Sequence, residues 1–268
     1  MPSPPPVVLS IAGFDPSSGA GITADIKTIA AHGCYGIACI TALTVQSTTG
    51  VRRVQPVSGE IIRETLNELA ADFEIAAVRI GMLGSAEVAA AVADFLEKRS
   101  PKNVVLDPIM SSSSGTRLVD DDGFIILRDR LLPLSLVITP NVAEAAWLAV
   151  FGEGEGLFQE HHILARLHAR GAANVVITHG DLIEPVDVLS VQTSAGPKVE
   201  RFSRRKIKSK ATHGTGCAFA TALACNLALR LTLPDAVRLS GEYVRDAIAA
   251  APKLGRGKGP MNHLFRLG

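Results

Sequence analysis

The chain has 268 residues, 47% of them hydrophobic, and a formal net charge of +1. That length supports a sizeable apolar core without disulfides, and the charge is too small to draw nucleic acid or an acidic membrane. Cys34, Cys39, Cys217 and Cys225 fall at no zinc or disulfide spacing, which points to reduced thiols and a cytoplasmic location.

The opening MPSPPPVVLSIAG carries no positive charge before its short apolar run, so it does not look like a signal peptide. Residues 1–6 read as a loose tail. From there apolar runs alternate with helix-period segments. Strands are predicted at 7–12, 36–45, 76–83, 103–110, 134–141 and 174–180, with helices at 22–33, 59–73, 86–99, 122–132, 141–152 and 158–171 between them. Two hairpin-like runs follow, VDVLSVQ and KVERFSR, and helices at 215–231 and 234–250 close the chain. The apolar stretch CAFATALACNLALRL carries Asn226 and Arg230, and is too short and too polar to span a membrane. The alternation predicts an α/β fold, an open and mostly parallel sheet with helices on both faces, in one domain over 1–268. In such sheets ligands bind beyond the carboxyl ends of the strands, so the segments after each strand are the ones to read.

The first, GFDPSSGAG (13–21), lets the backbone turn tightly and approach a ligand. It matches neither a Walker loop nor a dinucleotide fingerprint, and an ordinary strand-to-helix turn has the same composition. Asp25, a turn further on, either complements the helix dipole or accepts a hydrogen bond from a substrate hydroxyl. In TVQSTTG, the Gln46 amide offers a donor beside an acceptor, which suits an aminopyrimidine edge; the plainer role is a polar residue where a strand meets water. Met82, in IGML, either packs in the core or lies flat against a ring. Asp107 ends the apolar run VVLD, where a carboxylate has a use with metal or phosphate. The serine run 111–115 and DDDG (120–123) suit a lid or a plain surface loop. In TPNVAEAAW, Asn141 is placed for an N-cap, and Glu144 for a dipole partner or a Mg²⁺ site beside Asp107.

The last segment, KATHGTGCAFATALAC (210–225), puts Gly214, Thr215 and Gly216 at a helix N-terminus, which makes an anion cradle. The same position lowers a thiol's pKa and favours a thiolate at Cys217.

Taken together, AGFDPSSGAGITADIKT, ITALTVQSTTGV, IGMLGS, VVLDPIM, ITPNVAEAAWL, ATHGTGC and GKGPMNHLF cover nearly the whole chain, 8 to 265. They resemble the hydroxymethylpyrimidine and phosphomethylpyrimidine kinases of the ribokinase-like superfamily. The resemblance implies a three-layer α/β/α fold, Mg-ATP as donor and a homodimer. It implies ATP-dependent phosphorylation of 4-amino-5-hydroxymethyl-2-methylpyrimidine and of its monophosphate, in thiamine biosynthesis. It places Gly13, Asp25, Gln46, Met82, Ile109 and Cys217 around the pyrimidine. Asp107, Asn141 and Glu144 serve the metal and phosphates, and Gly214, Thr215, Gly216 and the Cys217 backbone form the anion hole. Most sugar kinases of the superfamily carry aspartate at the Cys217 position, as the base for the accepting hydroxyl. Here Cys217 would orient the hydroxymethyl group and accept its proton, as thiolate or weak acceptor, without a covalent intermediate.

The chain departs from the family pattern in places. Ser18 stands where glycine is usual, and the lid is richer in serine. Thr178 and His179 replace a lysine-glycine pair whose lysine normally faces the nucleotide phosphates. Thr178 then takes the nucleotide-side position, and the basic run RRKIKSK (204–210) is either compensation or a solvated strand face. The His161–His162 pair reads as exposed rather than metal-binding. The alternatives are a pyridoxal or pyridoxine kinase and a non-catalytic vitamin-binding protein.

Overall fold

In the computed structural model of the protein, residues 3–112, 115–150, 159–180 and 182–267 are described. Residues 1–2 of the predicted tail, Ser113 and Ser114 of the serine run, the predicted helix end at 151–152 and the predicted helix start at Phe158 lie outside the described residues.

The strands are β1 (Val7–Phe14), β2 (Tyr35–Ser47), β3 (Gly50–Pro56), β4 (Ile75–Ile80), β5 (Val104–Leu106), β6 (Val137–Ile138), β7 (Asn174–His179), β8 (Val186–Thr193) and β9 (Gly196–Ser203). The helices are α1 (Gly21–Ala31), α2 (Gly59–Asp72), α3 (Ala86–Arg99), α4 (Asp121–Ile126), α5 (Leu132–Leu134), α6 (Val142–Val150), α7 (Glu160–Ala169), α8 (Thr215–Ala228) and α9 (Leu233–Ala249). A π-helical turn at Leu127–Leu131 joins α4 to α5. Among the described residues the strands form one sheet in the order β3-β2-β1-β4-β5-β6-β7-β8-β9. Pairing is parallel from β2 through β1, β4, β5 and β6 to β7. It turns antiparallel at both edges, β2–β3 on one side and β7–β8–β9 on the other.

The predicted strands form because their apolar residues serve two cores. Val8, Ala77, Val105, Val137 and Val176 pack toward α1, α8 and α9. Their neighbours Leu9, Val78, Leu106, Ile138 and Val175 pack toward α2, α3, α4, α6 and α7. Successive side chains on a strand face opposite ways, so a continuous apolar run fills both layers. Each such side chain contributes about 1.5–3 kcal/mol when fully buried. The result is a three-layer α/β/α arrangement with a mostly parallel centre.

Two local features differ from the sequence reading. β3 is a strand the pattern does not announce, because GVRRVQP is half polar and lies on a sheet edge. The DDDG segment is a helix start rather than a lid, since the Asp120 carboxylate accepts from Gly123 N at 2.7 Å and caps α4. Before it, Ser112 N donates to Thr116 O at 2.8 Å and Leu118 N to Met110 O at 2.9 Å.

No helix among the described residues is long and apolar enough to cross a membrane.

Candidate active site

A cavity of ≈ 590 Å³ opens at the carboxyl ends of the central strands. Its size is that of a small-molecule site. It is walled by the first loop, the β2–β3 hairpin, Met82, Met110–Ser112, Leu118, the start of α6, Thr178 and the N-terminus of α8. Met82 and Leu118 belong to one small apolar cluster with Ala42. Gly13, Gln46, Met82, Asp107, Ile109, Asn141, Glu144, Thr178, Gly214, Thr215, Gly216 and Cys217 all line this cavity. Residues 204–210 do not; Arg204 instead pairs with Asp187, its Nη2 at 2.9 Å from Oδ1.

Asp25 corrects its sequence expectation. Its carboxylate is fully buried beneath the cavity floor rather than in the wall. It accepts from Ser10 Oγ at 2.6 Å, Thr221 Oγ1 at 2.7 Å and Arg79 Nη1 at 3.0 Å. A helix-borne carboxylate facing the sheet meets β4, where Arg79 projects from the same face as Ala77. The other arm of Arg79 donates from Nη2 to Asp107 Oδ2 at 2.6 Å. One buried guanidinium therefore clamps α1 to the end of β5. Gly81 completes the fit, because a Cβ there would lie 2.0 Å from Arg79 Nη1. Arg79 has a sequence signal, a charge inside the apolar strand AAVRIGML, which demands buried carboxylate partners.

The carboxyls above the clamp are perturbed by position. Burial raises Asp107 to about 6, with Arg79 pulling down and Asp25 pushing up. Burial raises Glu144 to about 8, and nearby Asp107 adds to the shift. Glu144 also forms a reciprocal cap with Asn141: Asn141 N donates to Glu144 Oε2 and Glu144 N to Asn141 Oδ1, both at 2.9 Å.

α2, α3, α4 and α9 each use a Ser, Asp or Thr side chain on a first-turn N–H. α8 does not. Its N-cap is Gly214, with φ 78° and no side-chain cap. The backbone N–H groups of Thr215, Gly216 and Cys217 precede the first intrahelical bond, from Ala218 N to Gly214 O at 2.9 Å. They border the cavity and present the positive end of the helix dipole to it. Gly214 has no substitute, since a Cβ would lie 2.0 Å from Gly19 O. Gly216 differs: a Cβ there meets nothing within 4 Å, so it would stand in the cavity itself. Gly216→Ala is expected to fold with unchanged or slightly raised melting temperature, alanine being the better helix former by roughly 1 kcal/mol. Its kcat/KM is expected to fall tenfold or more. Calorimetry beside steady-state kinetics checks this, and unchanged turnover would remove the cradle from the site.

Cys217 sits in the first turn of α8, buried at the cavity floor. The expected thiolate is corrected. Burial pushes the thiol up to about 12, Asp107 and Asp25 add to this, and neither Arg79 nor the Gly21 N–H offsets it. The local environment outweighs the helix terminus, and the resting group is a neutral thiol.

Two further residues belong here. Asp15 and His213 lie inside quoted motifs but are separated by 198 positions, with His213 Nε2 2.7 Å from Asp15 Oδ2. Burial opposes ionisation of Asp15, yet hydrogen bonds from His213 and Ser17 hold its carboxyl below the usual range.

Comparison with known proteins gives consistent matches. Residues 15–262 match the phosphomethylpyrimidine kinase family. The chain is 39% identical to the hydroxymethylpyrimidine/phosphomethylpyrimidine kinase of Rhizobium meliloti, over 97% of each chain. It is also 39% identical to the thiamine biosynthesis bifunctional protein of Geobacter sulfurreducens, covering 98% of this chain but 53% of that protein. The chain thus spans about half the length of that relative. Among solved structures, an ADP complex of Bacillus subtilis pyridoxal kinase superposes with a TM-score of 0.85 at 30% identity, covering 98% of this chain and 100% of that one.

Proposed function

The chain belongs to the phosphomethylpyrimidine kinase family, and on that premise we propose that it moves the terminal phosphoryl group of ATP onto 4-amino-5-hydroxymethyl-2-methylpyrimidine and then onto the resulting monophosphate, in thiamine biosynthesis. One observation carries the reading. A single cavity holds an amide suited to an aminopyrimidine together with a thiol and an anion cradle at one helix N-terminus. The whole chain, 1–268, acts as one kinase domain in this proposal, in the cytoplasm and as a homodimer.

The residues divide the work. Gln46 reads the amino group and ring nitrogen, while Gly13, Met82 and Ile109 shape the ring slot. The acceptor oxygen bonds the γ-phosphorus as the bond to the bridging oxygen breaks; ADP leaves, and the proton of the hydroxymethyl group is released to solvent. Charge on the transferring group falls to the N–H groups of Gly214, Thr215, Gly216 and Cys217, which need no reorganisation to receive it. Cys217 orients the hydroxyl. In a loose transition state positioning and charge dominate, so a protonated thiol suffices.

Asn141, Thr178 and Thr215 flank the nucleotide phosphates. With Thr178 and His179 replacing lysine and glycine, the cradle and a divalent cation carry the charge that a lysine carries in relatives. Asp107 and Glu144 fit such a cation. Both carboxyls line one cavity, and both are raised, to about 6 and about 8. A cation held by them would favour the ionised form of Glu144, which burial first and Asp107 second disfavour. Mg²⁺ needs only one or two carboxylates when phosphates and waters complete its shell. It supplies charge neutralisation at the phosphates.

ADP release with Mg-ATP tests the reading, offering the hydroxymethylpyrimidine, its monophosphate and pyridoxal in parallel, with and without EDTA. Turnover of both pyrimidines well above pyridoxal, abolished by EDTA, is expected. Turnover of pyridoxal alone would move the assignment to vitamin B6, a second reading favoured by the close superposition on a pyridoxal kinase. Binding without any turnover would make it a vitamin-binding protein.

A further inference from the structure

His213 approaches two groups with one nitrogen. Its Nε2 lies 2.7 Å from Asp15 Oδ2 and 3.2 Å from the end of the Gln46 amide. The Asp15 carboxylate is held in place by Ser17 N at 2.8 Å, Ser17 Oγ at 2.7 Å and Ala20 N at 2.9 Å. An ionised carboxylate only accepts, so His213 Nε2 bears a proton and donates. His213 is itself fixed: a Cβ on Gly19 would lie 2.4 Å from its Cδ2, and its backbone N donates to Gly259 O at 3.2 Å.

This fixes the amide. The two ends of a glutamine amide exchange by a half-turn. Nitrogen toward His213 would set two donors face to face. Oxygen toward His213 lets Oε1 share the Nε2 proton. The amide NH₂ then faces Thr44 Oγ1, 3.2 Å from the other end of the amide. Thr44 donates its own proton to Phe14 O at 2.9 Å, so its oxygen is free to accept. In that arrangement each contact of His213 and Thr44 pairs a donor with an acceptor. One N–H and one lone pair of Gln46 remain, side by side, on the cavity wall.

Resting on the kinase reading above, we infer that Asp15, His213 and Thr44 are specificity-determining positioning residues, which lock Gln46 in the one rotamer that matches an amino group beside a ring nitrogen. A glutamine free to turn would serve either polarity of ring edge. The locked one selects an aminopyrimidine over a pyridine that has no amino group beside its ring nitrogen.

The test is calorimetric binding of 4-amino-5-hydroxymethyl-2-methylpyrimidine and of pyridoxal, without nucleotide, to wild type, His213→Phe and Thr44→Val. Phenylalanine keeps a ring over Gly19 and loses the donor. Loss of one shared hydrogen bond predicts about tenfold weaker pyrimidine binding in each variant, with pyridoxal changed less than threefold. The expected signature is therefore a tenfold fall in the ratio of the two affinities. Equal loss for both ligands would show a merely structural role and overturn the inference, as would a wild type that prefers pyridoxal. If His213→Phe does not fold, Thr44→Val decides alone. Wild type that binds the pyrimidine but never phosphorylates it would sink the kinase reading and leave this ratio measurable.

Discussion

Arg79→Met is expected to destabilise the fold by about 3–5 kcal/mol, the cost of leaving buried charges without their partner. The guanidinium is fully buried and bonds Asp25 at 3.0 Å and Asp107 at 2.6 Å. Methionine fills much of the volume, so packing loss is the smaller part. The larger part is two buried carboxylates left without their counter-charge. Asp25 keeps Ser10 and Thr221; Asp107 loses the guanidinium that pairs with it. Urea unfolding at neutral pH reads the effect as a lower midpoint with an unchanged slope. Arg79→Lys separates charge from shape. Lysine keeps the charge but lacks the planar fork that bridges two carboxylates, and it should recover part of the loss. Stability of Arg79→Met equal to wild type would show that α1 and β5 need no clamp.

The same residue shows where the sequence was readable and where it was not. The strands were legible because Val8, Leu9 and their counterparts on β4–β7 form unbroken apolar runs that fill two layers. β3 was not, because an edge strand buries little and GVRRVQP keeps no pattern strong enough to see. The loops after β1, β2, β5 and β6 were legible as site elements, because α/β topology sends them to one end of the sheet. The direction of a side chain within them was not. Asp25 faces β4 rather than the cavity because Arg79 waits there, and nothing local in ITADIKT records an arginine 54 positions away. Likewise, the link from Gln46 to His213 spans 167 positions. Arg79 alone carried a signal that could have been used, a charge in an apolar strand.

The thiol at the mouth of α8 was legible in place, and of its two expected states, thiolate or weak acceptor, its surroundings disfavour the thiolate. A helix N-terminus lowers a thiol's pKa when solvent or a cation is near. At Cys217 burial dominates, and the nearby carboxylates of Asp107 and Asp25 add to it. An argument from the helix terminus alone therefore has the wrong sign here.

Cys217→Ala is accordingly expected to lower kcat by about 10²-fold, the order of loss when a reacting group is misplaced by about 1 Å. KM for either substrate should move less than threefold. Cys217→Ser keeps a group that donates and accepts, and should stay within about tenfold of wild type. The pH profile separates the two roles of the thiol. If a preformed thiolate did the work, kcat would rise tenfold per unit from pH 7 to 9, because ionisation is complete only above about 12. If the neutral thiol orients the hydroxyl, kcat stays flat over that range, which is the outcome expected. Stability gives an independent check. The unfolded thiol ionises near its ordinary 9.0 and the folded one near 12. Its contribution is therefore full below about pH 9 and lost as pH rises toward 12. Wild type should lose stability in that window relative to Cys217→Ala, by unfolding at matched pH values. Parallel stability curves together with a rate that climbs from pH 7 would restore the thiolate.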